Sequence, residues 1–270
     1  LSNFFSPDYV IIKVPSFYGK GGELSLGLFG KKERLREETV HNEGNESPLL
    51  TVEHVERTFI NGGRSLHVLK GIDMELYLGQ LIMLRGRSGS GKTTLLNLIG
   101  GLDQPDVGRI MFHGSPFHEW NDTQRTEARR KEIGFIFQMY ALMPLLSAWE
   151  NVELSLRMAG VPSSQWKVRI AHCLEMVGLG KRMHHRPYEL SGGEQQRVAI
   201  AKAIAHKPSL LLADEPTAEL DSQMGAQVMK VFREIVRTEQ VAICMTTHDL
   251  TIMEVADHVY EMVDGKFVTT

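Results

Sequence analysis

The sequence predicts an α/β fold, layered around a substantially parallel sheet. Short apolar runs recur at Leu81–Leu84, Ile133–Phe137, Leu210–Ala213 and Val241–Met245. Each has the length and composition of a strand buried on both faces. Longer segments with helical spacing, 163–177, 194–206 and 222–238, lie between the later runs. Strand alternating with helix is the pattern of a parallel sheet covered by helices.

Residues 1–48 stand apart from this pattern. Residues 31–38 are dense in charge, 41–48 are polar and turn-rich, and Gly19, Gly21, Gly22, Gly27 and Gly30 punctuate what precedes them. Two readings are open: a flexible tail, or a partner-docking arm that uses Phe4, Phe5, Tyr9 to Val14, Phe17 and Phe29 as anchors. The rest of the chain, 49–270, reads as one unit without internal repeats. Ile72, Met74, Leu76 and Leu78 alternate with Asp73, Glu75 and Tyr77, which predicts a half-buried strand ending in a turn at Gly79-Gln80. Val259–Val263, Asp264-Gly265 and Lys266–Val268 predict a terminal hairpin.

Composition narrows the function. The 270 residues hold 30 Lys plus Arg against 33 Asp plus Glu, a formal charge of −3, and 42% are apolar. This balance excludes a nucleic-acid-coating protein and wholesale disorder. Cys173 and Cys244 are too few for a disulfide framework or a four-cysteine zinc site, which favours a reducing compartment. Residues 133–149 carry no charge and approach the minimum length of a membrane span. Gly134, Gln138, Pro144 and Ser147 interrupt them, so a short strand and a loop are expected. Residues 1–14 contain Pro7 and Asp8 and lack a signal-peptide pattern. A soluble, intracellular globular protein is the expectation.

The motif with most chemistry is Gly86-Arg87-Ser88-Gly89-Ser90-Gly91-Lys92-Thr93-Thr94. It fits the phosphate-loop pattern, and it follows a strand and opens the apolar helix pattern of Leu95, Leu96, Leu98 and Ile99. Glycines let backbone N–H groups converge on an anion, and the helix start adds its positive dipole end. Lys92 supplies a point charge for the β and γ phosphates of a nucleotide, and Thr93 a hydroxyl for Mg²⁺. Asp214 and Glu215 follow the run Leu210–Ala213, at the strand end where α/β sheets bind ligands. Asp214 is expected to hold the metal, partly through water, and Glu215 to accept a proton from the attacking water.

Leu190-Ser191-Gly192-Gly193-Glu194-Gln195-Gln196 resembles the signature of ATP-binding cassette (ABC) ATPases; by itself it is also a capping box heading a helix. The resemblance spans about 49–270. It implies a P-loop NTPase of ABC type, with a RecA-like core, an antiparallel β subdomain and an α-helical subdomain near 139–190. Gln138 resembles the family's glutamine that contacts metal and water, Leu220-Asp221 the loop crossing a dimer interface, and His248 the switch histidine at the γ-phosphate. Phe59 stands where the family places an aromatic, usually Tyr, against adenine. Ile133–Gln138, Leu142-Met143-Pro144, Glu150-Asn151-Val152 and Asp214–Thr217 narrow the likeness to lipoprotein-release, macrolide-export and cell-division ATPases. Arg87 replaces a more usual Pro, and Glu219 departs from the usual sequence before Leu220-Asp221.

Several properties are implied by this resemblance. Two copies would share two ATP sites, with Ser191, Gly192 and Gly193 of one copy facing the γ-phosphate held by the other, and Ser191 and Asp221 at the interface. Every catalytic position is intact, so both sites of a homodimer would be active. A separate membrane permease would dock near Gln138 to Leu156, placing the chain peripherally on the cytoplasmic face of the inner membrane. Leu142, Met143, Pro144, Leu145 and Trp149 fit either a docking groove or a helical core. Export or extraction from the membrane is the expected work; controlling a membrane or periplasmic partner without moving a substrate is the alternative. Coiled-coil chromosome ATPases separate the two motifs widely, and translation-factor ATPases carry two cassettes, so neither fits.

Overall fold

The computed structural model describes residues 47–248 and 252–268. Residues 1–46 of the predicted extension lie outside the described residues, as does Asp249 after His248. Strands β1 (Leu50–Asn61), β2 (Arg64–Leu76), β4 (Val107–Phe112) and β5 (Ser115–Pro116) form an antiparallel sheet in the order β2-β1-β4-β5. A second sheet contains β3 (Leu81–Arg85), β6 (Ile133–Ile136), β7 (Leu210–Ala213), β8 (Ala242–Thr247), β9 (His258–Val263) and β10 (Lys266–Val268). Its order is β10-β9-β3-β8-β7-β6; every pairing is parallel except β9 with β10.

Alternation along the central strands divides the core. Leu81, Met83, Leu211, Ala213, Ile243 and Met245 face one apolar layer, packed by α3 (Ala148–Met158), α4 (Ser163–Met176), α5 (Gly192–Ile204) and α6 (Ser222–Glu239). Ile82, Leu84, Leu210, Leu212, Ala242 and Cys244 face the other, which holds α1 (Lys92–Ile99) and the antiparallel sheet. The period-two side-chain direction of a strand thus serves two separate layers. The polar helix α2 (Asp122–Lys131) buries only Ala128.

The predicted strand through Leu78 ends at Leu76, and Leu78 is exposed in the turn before Gln80. The tight turn at Gly79, with φ 72°, ends the ladder before Leu78 can join it. Helix begins in the expected helical segment only at Ala148, because Ser147 and Glu150 form a capping box there; residues 137–147 are a loop. The terminal hairpin turns at Asp264-Gly265, both at positive φ. Gly265 N–H donates to Ser90 O at 3.0 Å and its carbonyl accepts from Lys70 N–H. A Cβ at Gly265 would strike Val68 O, so the hairpin can brace the phosphate loop only with glycine there.

Burial pushes the Cys244 thiol up to about 12 and the Cys173 thiol up to about 11, against an ordinary value of about 8.5. Both are 0% exposed. Iodoacetamide at about pH 8 is expected to label neither thiol in the folded chain and both after denaturation, because only the exposed thiolate reacts. Mass spectrometry reads the result, and rapid native labelling at either position contradicts this packing.

Candidate active site

Strand β3 delivers the loop Gly86–Gly91 to the start of α1. Gly86, Gly89 and Gly91 have φ of 157°, 79° and 110°, and a Cβ on Gly86 would run into Met262 O. No side chain caps α1, and its first turn holds no acid. Its free N–H groups therefore form an anion site. Ser90 Oγ is buried without a hydrogen-bond partner among the described residues. A cavity of about 420 Å³ opens here, lined by Gly86–Ser90 and by Glu261–Asp264 of the hairpin.

Lys92 is 5% exposed. Its ammonium donates to Gly86 O at 2.8 Å and Arg87 O at 3.2 Å, and lies 3.9 Å from Glu215 Oε1. It is held at the loop by carbonyls that an entering phosphate can outcompete, since hydrogen bonds between charged groups are the stronger ones.

Strand β7, separated from β3 by β8, ends at the carboxylates. Asp214 N–H donates to Ile136 O, extending the β6–β7 ladder by one residue. Thr93 Oγ1 donates to Asp214 at 3.0–3.1 Å, and Thr246 Oγ1 donates to Asp214 Oδ1 at 2.7 Å. The same Thr246 oxygen accepts from Glu215 N–H at 2.8 Å. Glu215 has φ 46°, a conformation costing about 1–3 kcal/mol in a non-glycine residue. Its Oε2 is 3.3 Å from His248 Nδ1. Lys92, Thr93, Asp214, Glu215 and His248 therefore meet at the carboxyl ends of β3, β7 and β8. The hydroxyl of Thr93 and carboxylate of Asp214 are hard oxygen donors suited to Mg²⁺.

A second group lies on the start of α5. Ser191 Oγ accepts from Glu194 N–H at 3.3 Å, and Glu194 returns the bond to Ser191 N–H at 2.9 Å. Hydrogen bonding from Ser191 N–H, with Arg182 nearby, holds the Glu194 carboxyl below its ordinary range. Asp221 caps α6 by accepting from Met224 N–H. Ser191 and Asp221 share a cavity of about 280 Å³ with Arg197 and Gln227. Gly193 packs on Met224, and Gly192 lies under Tyr140, whose hydroxyl would touch a Cβ at that position. Burial, then the Glu219 carboxylate, raises the Tyr140 hydroxyl above its ordinary value.

Gln138 lies just beyond β6, its Nε2 donating to Glu219 Oε1 at 3.2 Å. Phe59 lies on β1, 37% exposed, with the Arg57 guanidinium 4.7 Å from its ring centre. The apolar residues of 139–149 divide: Leu142 and Trp149 pack on the helical core, while Met139, Met143, Pro144 and Leu145 are exposed.

Two contributors were not assigned from sequence. Thr246 holds the Asp214 carboxylate and the Glu215 backbone N–H; its signal was a pair of threonines closing an otherwise apolar strand. Glu219 meets Gln138 across the gap between two loops, and nothing in the local pattern points to that contact.

The ABC transporter family profile matches residues 69–218. The lipoprotein-releasing system ATP-binding protein LolD of Hydrogenovibrio crunogenus is 40% identical, over 82% of this chain and 96% of its own length. The macrolide export ATP-binding/permease protein MacB of Wolinella succinogenes is 42% identical over 82% of this chain, which spans 34% of that longer protein. The dimeric ATP-binding cassette MJ0796, in a post-hydrolysis state bound to ADP and Pi, superposes with a TM-score of 0.74 at 35% identity, covering 81% of this chain and 96% of that one. With the profile over more than half of the chain and 40% identity across four fifths of it, the chain belongs to the ABC transporter family of ATP-binding proteins, as an ATPase.

Proposed function

We propose that the chain is the ATP-hydrolysing subunit of a membrane transport complex. Two copies close around two ATP molecules and drive a separate permease in export or in extraction from the membrane. The single observation that carries the chemistry is the Thr246 hydroxyl, which ties Asp214 and Glu215 into one unit beside Lys92.

In this reading, N–H groups of Gly86–Gly91 and the start of α1 cradle the phosphates of ATP, with Arg87, Ser88, Ser90 and Thr94 on the same loop and Phe59 against the base. Lys92 leaves the carbonyls of Gly86 and Arg87 for the β and γ phosphates. Thr93, Asp214 and Gln138 would hold Mg²⁺, which when bound neutralises phosphate charge. Glu215, turned by its left-handed backbone, accepts a proton from water as that water attacks the γ-phosphate, and His248 steadies both groups. Catalysis here is mostly positioning and charge stabilisation. Ser191, Gly192 and Gly193 of the second copy complete the cradle, with Asp221 at the interface.

The relatives named for lipoprotein release and macrolide export support work on membrane-embedded or exported molecules. No described helix is long and apolar enough to cross a membrane; in this reading the permease supplies the membrane span, and the chain sits peripherally on the cytoplasmic face of the inner membrane. The exposed Met139, Met143, Pro144 and Leu145 are the candidate docking surface for it. Tagged chain captured from solubilised membranes is expected to retain an integral membrane protein. Met143→Glu with Leu145→Glu is expected to abolish that capture and leave ATP binding unchanged. Capture without any membrane protein, or capture indifferent to the double variant, overturns the docking assignment.

A further inference from the structure

Residue 219 lies four positions after Glu215, in a turn closed by Ala218 N–H to Glu215 O and Leu220 N–H to Thr217 O. That turn brings its carboxylate to the loop leaving β6, where Gln138 Nε2 donates to Glu219 Oε1 at 3.2 Å. The loop is held from its other side by α5, since Lys202 Nζ donates to Ala141 O at 2.7 Å and Tyr140 lies against Gly192. Its backbone is therefore anchored independently of residue 219. What Glu219 controls is the direction of one side-chain amide.

A carboxylate only accepts, so it can take only the NH₂ end of the Gln138 amide. The amide oxygen is then the end left over, with its lone pairs available to a hard cation, the donor type that Mg²⁺ selects. The negative charge on Glu219, at the nitrogen end, also pushes electron density through the amide onto that oxygen. An apolar residue at 219 would leave the amide free to present either end.

We infer that Glu219 is a positioning residue: by holding the Gln138 nitrogen, it fixes the amide oxygen as the metal-facing end and tightens the coupling between nucleotide and Mg²⁺. The inference rests on the metal role proposed above for Gln138, and its test separates the two. In this proposal Glu219 acts on the metal through Gln138, with no contact of its own to phosphate or metal.

The measurement is the dissociation constant of a non-hydrolysable ATP analogue on the full chain, taken in Mg²⁺ and again in EDTA. The ratio of the two values reports the metal's contribution to binding and needs no turnover. Glu219→Ala and Gln138→Ala are each expected to reduce that ratio by about threefold to tenfold, the net scale of one ordinary solvent-accessible hydrogen bond. The constant in EDTA is expected to stay at the wild-type value. The double variant is expected to fall no further than Gln138→Ala alone, because residues acting through one another are not additive. Glu219→Gln, which can donate as well as accept and so no longer selects one end of the amide, is expected to recover only part of the ratio.

A wild-type ratio in Glu219→Ala, alongside a reduced one in Gln138→Ala, overturns the positioning role and leaves the metal reading of Gln138 standing. A wild-type ratio in Gln138→Ala overturns both. Weaker binding of Glu219→Ala in EDTA, or additive losses in the double variant, shows that Glu219 acts on the nucleotide by another route and equally overturns the inference.

Discussion

Glu215→Gln is expected to lower turnover by about 10²- to 10⁴-fold, the usual scale for removing a general base, while ATP binding persists. The substitution is close to isosteric, so the backbone bond from residue 215 N–H to Thr246 Oγ1 and the left-handed turn are retained. What is lost is an acceptor for the proton of the attacking water, since an amide oxygen is far too weak a base. Lys92, Thr93 and Asp214 keep their places, and the phosphates still have their cradle. Removing the charge 3.9 Å from Lys92 also removes a competitor for its ammonium. Binding without hydrolysis should trap ATP in a closed pair of chains. Gel filtration with and without ATP reads the pairing, and phosphate release by the purified complex reads turnover. Unchanged turnover sinks the assignment of Glu215 as base.

Strands β3, β7 and β8 were legible because central parallel strands are buried on both faces and read as continuous apolar runs. Strand β1 was not, because its register shifts near Val55 and Arg57 break the alternation that marks an antiparallel strand. Helix α2 was invisible for a different reason: with one buried residue it has no apolar face to detect. Helix α3 was hidden by its neighbours, since Leu142 to Trp149 form one apolar stretch in sequence that the capping box at Ser147 cuts into loop and helix.

The same contrast runs through the site. The phosphate loop and the capped start of α5 are local devices, made by residues a few positions apart, and their patterns survive in sequence. The bonds joining Thr246 to Asp214 and Glu219 to Gln138 depend on which strands lie side by side. Sheet order decides that, and no local pattern encodes it. Phe59 is intermediate: its place on an exposed strand suits contact with a base, but Arg57 already stacks on its ring, so an adenine would have to share or displace that contact.

The separation of the two groups of site residues leads to the second large expected effect. Within one chain the partners of Lys92 are Gly86, Arg87 and Glu215, while Ser191 is engaged in its own helix cap and shares a cavity with Asp221. If the cradle of one copy is completed by the capped helix of another, a chain lacking Lys92 and a chain lacking Ser191 are defective in opposite halves of the site. Lys92→Ala removes the point charge, and loss of one such electrostatic contact typically costs about 10²- to 10³-fold in rate. Ser191→Arg fills the space above the start of α5 and removes a cap contributing about 0.5–2 kcal/mol, so its folding is checked first by circular dichroism. Each variant alone is expected to be nearly inactive. In an equal mixture about half of the pairs are mixed, and each mixed pair holds one site built wholly from intact halves, so activity should return to about a quarter of wild type for a head-to-tail arrangement. A mixture as inactive as either variant alone means that each chain builds its site unaided, and the shared-site arrangement fails.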